Sequence, residues 1–358
     1  MTTDSDIPVI DFGPFLDHSN NNSNNEGEEF RSRRREETAE EIRRACLDHG
    51  FFYATHHGID PALLDAVWEQ TESLFDLSPS QKSEISSKHD PLFRGYISTE
   101  DGLHSCNSKL RDELGVDDQK ESYTIGATES GDDKASKAGK SPMHGPNQWP
   151  KSSDLPSFRT TMEAYWEAQI VFSRVLARGI ALSLGLPPGF FDPHLTDPVA
   201  QMVLLRYPSP PSNTMTTGGG TEAETAKACR TKHPGCGEHT DCGFLTILAQ
   251  THPGLEVRDR TTNQWKAVKP LEGAFVVNLG DMAARWTNGT YRSTEHRVYN
   301  TTNATRYSIP FFCNCNFDAP VECIVEPRNN GEHGVARYEA TTAGAYILER
   351  LGLMRLIE

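Results

Sequence analysis

From about residue 200 onward the chain breaks into short runs of β-branched and aromatic residues, each closed by turn formers. This pattern constrains the fold more than any other feature. The runs fall at 202–207, 244–249, 254–258, 274–279, 295–299 and 308–313. Segments this short cannot each build a core, so they have to pair and close on one another as a sandwich or barrel. The first half is patterned differently. Residues 38–48 place Ala39, Ile42, Ala45 and Cys46 at helical spacing before Gly50, and 61–77 repeats an amphipathic pattern. Residues 158–184 carry a broad apolar face through Trp166, Ile170, Phe172, Val175, Leu176 and Ile180. Short strands are expected at 7–12 and 51–55. A helical front half ahead of many short strands predicts a mainly β protein with α, a double-stranded β-helix (jelly roll) core flanked by helices with a helical N-terminal region. On this reading residues 1–150 are an N-terminal region packed on the core, and 151–358 contribute the long helix and the jelly roll.

Three stretches interrupt the pattern. SNNNSNNEGE at 19–28 is polar and of low complexity and reads as a loop, and 130–150, rich in Gly, Ser, Lys and Pro, reads as an extended one. Residues 209–237 break the β pattern with Thr, Gly and Ala and read as an exposed insertion. Within it Cys229, His233 and Cys236 lack an obvious fourth partner for a structural zinc site, so free thiols on a polar loop are expected.

Charge narrows the partners. Fifty acids against 35 bases give a formal net charge of −15, a surface that repels nucleic acid and anionic lipid. No apolar run approaches the roughly 20 residues that cross a bilayer. The start, MTTDSDIPVI, lacks the basic and apolar regions of a signal peptide, and eight cysteines are scattered without a disulfide framework. A monomeric, cytoplasmic protein acting on a small-molecule substrate is expected.

The chemistry concentrates in GEHTDCGFLTILAQ, residues 237–250. In an extended strand alternate residues share a face, so His239 and Asp241 are expected to point the same way, with Cys242 turned toward the core. His296, in STEHRV, follows 55 residues after Asp241. Two imidazoles and a carboxylate on one side of an ion are the ligand set of non-haem Fe(II) oxygenases, and they leave the opposite side open for a chelating 2-oxo acid and O₂. Farther on, Arg306 and Ser308 share another strand face, and a guanidinium fork beside a hydroxyl suits the far carboxylate of a short diacid. His56, His57, His144, His194, His233 and His252 have no such partners and are assigned to solvent contacts or caps. Trp286, Asn288 and Gly289 are assigned to a structural turn.

IPVIDF (7–12), GFFYATHHGI (50–59), LLRYPSPP (204–211), GEHTDCGFLTIL (237–248), GLEV (254–257), VVNLGD (276–281), WTNGTYRSTEHRV (286–298) and RYS (306–308) occur in that order. With this set the chain resembles the isopenicillin N synthase-like branch of the 2-oxoglutarate/Fe(II)-dependent dioxygenases. The resemblance implies iron ligands His239, Asp241 and His296, and a grip on the distal carboxylate of 2-oxoglutarate by Arg306 and Ser308 with Tyr207 beside them. It places Arg94, Tyr96 and Tyr123 in segments similar to the family's substrate-side wall. It implies the cofactors Fe(II), 2-oxoglutarate and O₂, with ascorbate as a stimulant, and oxidation of a small metabolite by hydroxylation, desaturation or cyclisation with release of succinate and CO₂. Leu205 departs from the Asn that many relatives carry two residues before the tyrosine, and the insertion at 209–237 departs from the compact family pattern. A 2-oxoglutarate-independent iron oxidase and a non-catalytic binding protein on the same scaffold remain alternatives at this point.

Overall fold

The computed structural model describes residues 7–16, 25–101, 118–128, 141–209, 235–300, 302–324, 328–329, 332–333 and 336–352. Its strands are β1 (Val9–Asp11), β2 (Phe51–Thr55), β3 (Gly95–Ile97), β4 (Glu121–Gly126), β5 (Pro198–Tyr207), β6 (Cys236–His239), β7 (Leu245–Gln250), β8 (Leu255–Arg258), β9 (Trp265–Val268), β10 (Ala274–Leu279), β11 (His296–Val298) and β12 (Arg306–Asn316), besides four two-residue strands. A large sheet runs β1-β2-β10-β7-β12-β5-β4-β3, and a small one runs β6-β11-β8-β9. All their pairings are antiparallel except β1 with β2. This is the expected jelly roll.

The period of two along each strand sorts side chains into two cores. Phe52 and Ala54 of β2, Ile247 of β7, Phe275 and Val277 of β10, and Ile309 and Phe311 of β12 join a cluster with Ile42, Val67, Leu74, Phe172, Leu176 and Ile180 from the helices. The alternate residues Phe51, Tyr53, Val276 and Tyr207 face the small sheet and meet Leu255, Val257, Val268 and Val298. The large sheet is thus covered by helices on one face and by the small sheet on the other, and the polar residues that alternate into the inter-sheet space define the site.

Three helices build the covering layer: Asn25–Asp48, Pro61–Phe75 and Phe158–Ser183. Pro61 opens the second with its φ already helical, and Asp60 caps it by accepting from the Ala62 amide at 2.9 Å. The first and third cross closely at Gly179, where a Cβ would lie 2.7 Å from Ile42 Cδ1. The helix expected at 38–48 begins at Asn25, so the loop expected at 19–28 is helical from Asn25 on, and its earlier part lies outside the described residues. Glu/Arg pairs one turn apart, such as Arg33 with Glu37 at 3.1 Å, accompany this polar extension. Of the loop expected at 130–150, residues 141–150 are described and anchored, with Ser141 and Met143 buried. The expected insertion ends earlier than 237. Cys236 and Gly237 belong to β6, while 210–234, with Cys229 and His233, lie outside the described residues.

Candidate metal centre

β6 and β11 are antiparallel neighbours with His239 directly opposite His296, which brings their ring centroids to 4.2 Å. Asp241 arrives by another route than strand alternation. β6 ends at His239, and the chain turns so that the Asp241 carbonyl accepts from the Asp281 amide at 2.7 Å, at the start of helix Asp281–Trp286. This turn is close-packed. A Cβ on Gly280 would lie 2.3 Å from the Gly243 carbonyl and 2.8 Å from that of Asp241, both backbone atoms that cannot move aside.

Hydrogen bonds aim each donor atom. Asp241 Oδ2 accepts from Thr246 Oγ1 at 2.6 Å and Asn278 Nδ2 at 2.8 Å, so Oδ1 is left facing His239 Nε2 at 3.8 Å and His296 Nε2 at 3.6 Å. The Nδ1–H of His239 donates to the Gly237 carbonyl at 2.7 Å and that of His296 to the Thr294 carbonyl at 3.1 Å. These carbonyls select the tautomer in which each Nε2 presents a lone pair. Among the described residues, ligand atoms of His239, Asp241 and His296 all lie within 4.8 Å of one another. Asp241 and His296 are buried and His239 is half-buried. Burial works against the Asp241 carboxylate, but His296, His239, Asn278 and Thr246 hold it below the usual range. Burial and the adjacent His239 push His296 down to about 4. Burial also opposes charge on His239, yet Cys236, Asp241 and the Gly237 carbonyl lift it to about 9. The three residues thus form a compact, electrically complementary N,N,O donor set that fits a divalent ion.

Arg306 lies in the inter-sheet space against Tyr207, fully buried. Its Nε donates to the His252 carbonyl at 3.1 Å, one terminal nitrogen to Ser308 Oγ at 3.1 Å and the other to Gln250 Oε1 at 2.9 Å. All three acceptors are neutral. Burial lowers the Arg306 pKa and Tyr207 opposes that shift. Tyr207 lies opposite Arg306 in the β5–β12 register, with its ring centroid 5.0 Å from the guanidinium carbon, and Leu205 lies opposite Ser308. The expected shared face of Arg306 and Ser308 is therefore present, and Tyr207 joins it. Such a buried cation among neutral partners fits an anionic ligand.

Arg94, Tyr96 and Tyr123 are not brought to the triad. Arg94 is buried and donates to the main-chain carbonyls of Ala127, Met143 and Gly145, clamping the segment at 141–147. The Tyr96 hydroxyl donates to Glu121, which also pairs with Lys82 at 2.9 Å and Arg206 at 3.0 Å. The Tyr123 hydroxyl donates to the Gln148 carbonyl, and its ring stands edge-on to Phe158. Tyr96 and Tyr123 belong to the helix-side core because odd and even residues of one strand face opposite ways. Of the two roles expected for His57, solvent contact or cap, the structure shows the second: it is buried against Phe275, and its Nδ1 accepts from the Ile59 amide at 3.1 Å. Sequence reasoning missed Thr246, Asn278 and Gln250. Their signal was a polar residue recurring at the inter-sheet phase of otherwise apolar strands.

Residues 7–152 match the family model described as non-haem dioxygenase in morphine synthesis N-terminal, and residues 199–314 match that of the 2OG-Fe(II) oxygenase superfamily. A 2-oxoglutarate-Fe(II) type oxidoreductase of Aspergillus fumigatus is 31% identical over 93% of this chain and 89% of its own length. Clavatol oxidase of Penicillium crustosum is 31% identical over 96% of this chain and 95% of its own. The crystal structure of a full-length Neurospora crassa protein in complex with alpha-KG (2-oxoglutarate) superposes with a TM-score of 0.75 at 28% identity, covering 97% of this chain and 96% of that one.

Proposed function

Since this chain belongs to the 2OG-Fe(II) oxygenase superfamily, we propose that His239, Asp241 and His296 are its iron ligands and that Arg306 and Ser308, with Tyr207 alongside, anchor the distal carboxylate of 2-oxoglutarate. The protein is an oxidoreductase that uses Fe(II), 2-oxoglutarate and O₂ to oxidise a small metabolite. The observation that carries the residue assignment is the convergence of two Nε2 atoms on Asp241 Oδ1, in a fold that also buries a guanidinium whose partners are all neutral.

Bound iron supplies, with 2-oxoglutarate and O₂, the oxidising power by which the 2-oxo acid is decarboxylated to succinate and a substrate C–H bond is attacked. The chain's own residues bind and orient. The Gly237 and Thr294 carbonyls hold a proton on each Nδ1, so that Nε2 is the atom turned to the ion, and Thr246 and Asn278 keep Asp241 ionised and rotated so that Oδ1 points at the ion. A guanidinium has one N–H on Nε and two on each terminal nitrogen. Arg306 bonds His252, Ser308 and Gln250 and also the Tyr207 side chain, which leaves a terminal N–H and the full positive charge to meet a carboxylate. Ser308 accepts from Arg306 and also hydrogen-bonds the Tyr207 side chain, tying the three residues into one group. Phe51, Tyr53, Val257 and Val276 wall the inter-sheet space with apolar surface that excludes water.

Among relatives, the names clavatol oxidase and homoarginine-6-hydroxylase point to clavatol and to homoarginine, and the Neurospora crassa protein has also been crystallised with thymine. They support a small organic substrate here without choosing its class. The test is an anaerobic titration of Fe(II) protein with 2-oxoglutarate, followed by the metal-to-ligand charge-transfer absorption and then by succinate release against a metabolite panel. The band should appear in wild type and vanish in His239→Ala. A band of full intensity in His239→Ala would overturn the ligand assignment, and product formed without succinate would turn the reading toward a 2-oxoglutarate-independent oxidase.

A further inference from the structure

β6 carries the ligand His239, yet it is a four-residue strand at the edge of the small sheet, with β11 as its one strand neighbour among the described residues. The register with β11 is irregular, jumping between His296 and Val298. A short edge strand held on one side is a poor platform for a ligand that must be placed within a few tenths of an ångström. Its other side is held by the segment just before β4 of the large sheet. Asp118 Oδ1 accepts from the Gly237 amide at 3.0 Å, and Lys120 Nζ donates to Cys236 Sγ at 3.2 Å. The two clamp residues also pair with each other, Lys120 Nζ lying 3.1 Å from Asp118 Oδ2, with side chains 7% and 0% exposed. The Gly237 carbonyl in turn receives the Nδ1–H of His239 at 2.7 Å. A continuous path therefore runs from the Asp118 carboxylate through Gly237 to the imidazole.

We propose that Asp118 and Lys120 are positioning residues for His239, with Asp118 fixing the residue whose carbonyl orients the imidazole and Lys120 holding the start of the same strand. The inference rests on His239 being an iron ligand. A buried ion pair contributes little to stability against an apolar replacement, because desolvation of both charges offsets their attraction. What this pair does provide is geometry. It fastens the large sheet to the ligand-bearing edge of the small one, where the Gly237 carbonyl is the outer partner of the imidazole.

Co(II) is the probe, titrated into metal-free protein and followed by calorimetry and by its visible d–d absorption. Asp118→Ala/Lys120→Met removes both charges together, so the metal-free melting temperature should stay near that of wild type. Its Co(II) dissociation constant should rise about 10- to 100-fold, the usual loss for an outer-shell partner. Asp118→Asn/Lys120→Met restores an acceptor for the Gly237 amide and should return the constant to within about threefold of wild type. Wild-type affinity in the first variant, or equal losses in both, would overturn the proposal. If the first variant does not fold, Asp118→Glu decides, since it keeps the pair with Lys120 but displaces the acceptor by one methylene. It should weaken Co(II) binding about 10-fold, and an unchanged constant would overturn the proposal. His239→Ala runs alongside. If it binds Co(II) as wild type does, the ligand assignment itself fails; if it loses binding while the Asp118 variants keep theirs, only the positioning role fails.

Discussion

Replacing Arg306 with Gln removes a fully buried cation whose partners, the His252 carbonyl, Ser308 Oγ, Gln250 Oε1 and the Tyr207 side chain, are neutral. Two effects follow, with opposite consequences. Losing a charge-assisted contact to a carboxylate, at about 1.5–3 kcal/mol per hydrogen bond to a charged group, should weaken 2-oxoglutarate binding by about 10²–10³-fold even after part of the gain is lost to desolvation. The metal-free protein should not suffer in proportion, because a buried charge without an opposite charge opposes folding, and its removal offsets the hydrogen bonds given up. Its melting temperature should stay within a few degrees of wild type, and Co(II) affinity should be nearly unchanged, since no triad ligand bonds Arg306. Arg306→Lys should recover only part of the affinity, keeping the charge but losing the planar fork. Ser308→Ala should be milder than Arg306→Gln. The assay is the anaerobic charge-transfer titration with 2-oxoglutarate at saturating Fe(II). An unchanged midpoint in Arg306→Gln would mean that the acid is held elsewhere, and a collapse of the metal-free protein would mean that Arg306 is a structural cation.

Thr246→Val and Asn278→Leu each take one hydrogen bond from Asp241 Oδ2 and should weaken Co(II) binding about 10- to 100-fold; calorimetric titration giving wild-type constants would refute the orienting role. Gly280→Ala must push a Cβ into the Gly243 and Asp241 carbonyls, and overpacking of this kind destabilises by about 1–3 kcal/mol. A lowered melting temperature together with weaker Co(II) binding is expected, and an unperturbed melt would contradict the close packing of that turn. Burial, with His56 adding to it, lowers the pKa of His57, so as pH falls through its ordinary value near 6.5 the unfolded chain takes up the proton first and stability declines below that point. His57→Asn keeps an acceptor for the Ile59 amide without the titration, so its melting temperature should fall less than that of wild type between about pH 7.5 and 5.5. Equal falls would show that His57 is not a source of the acid sensitivity.

What the amino-acid sequence determined by itself was everything that depends on period and order. The apolar runs of β2 and β10 coincide with the strands expected at 51–55 and 274–279 because a strand covered on both faces shows as a short unbroken apolar run. The long helix ends within a residue of its expected limit for the corresponding reason at a period of 3.6. Arg306 and Ser308 share a face because both lie on one regular strand, where spacing alone fixes direction. Local spacing failed where the chain left regular structure or where two strands met. Asp241 reaches the histidines through a turn held by Asp281, Thr246 and Asn278, and no rule of alternation describes that path. Arg94, Tyr96 and Tyr123 stood in a familiar order, but spacing alone did not show that their polar atoms bond carbonyls and a carboxylate near them. Only the tertiary structure could decide that Asp118 and Lys120 reach across to Cys236 and Gly237, positions more than a hundred residues away. Contacts between sheets depend on how two twisted surfaces close over each other, which is a property of the whole packed core rather than of any segment of the chain.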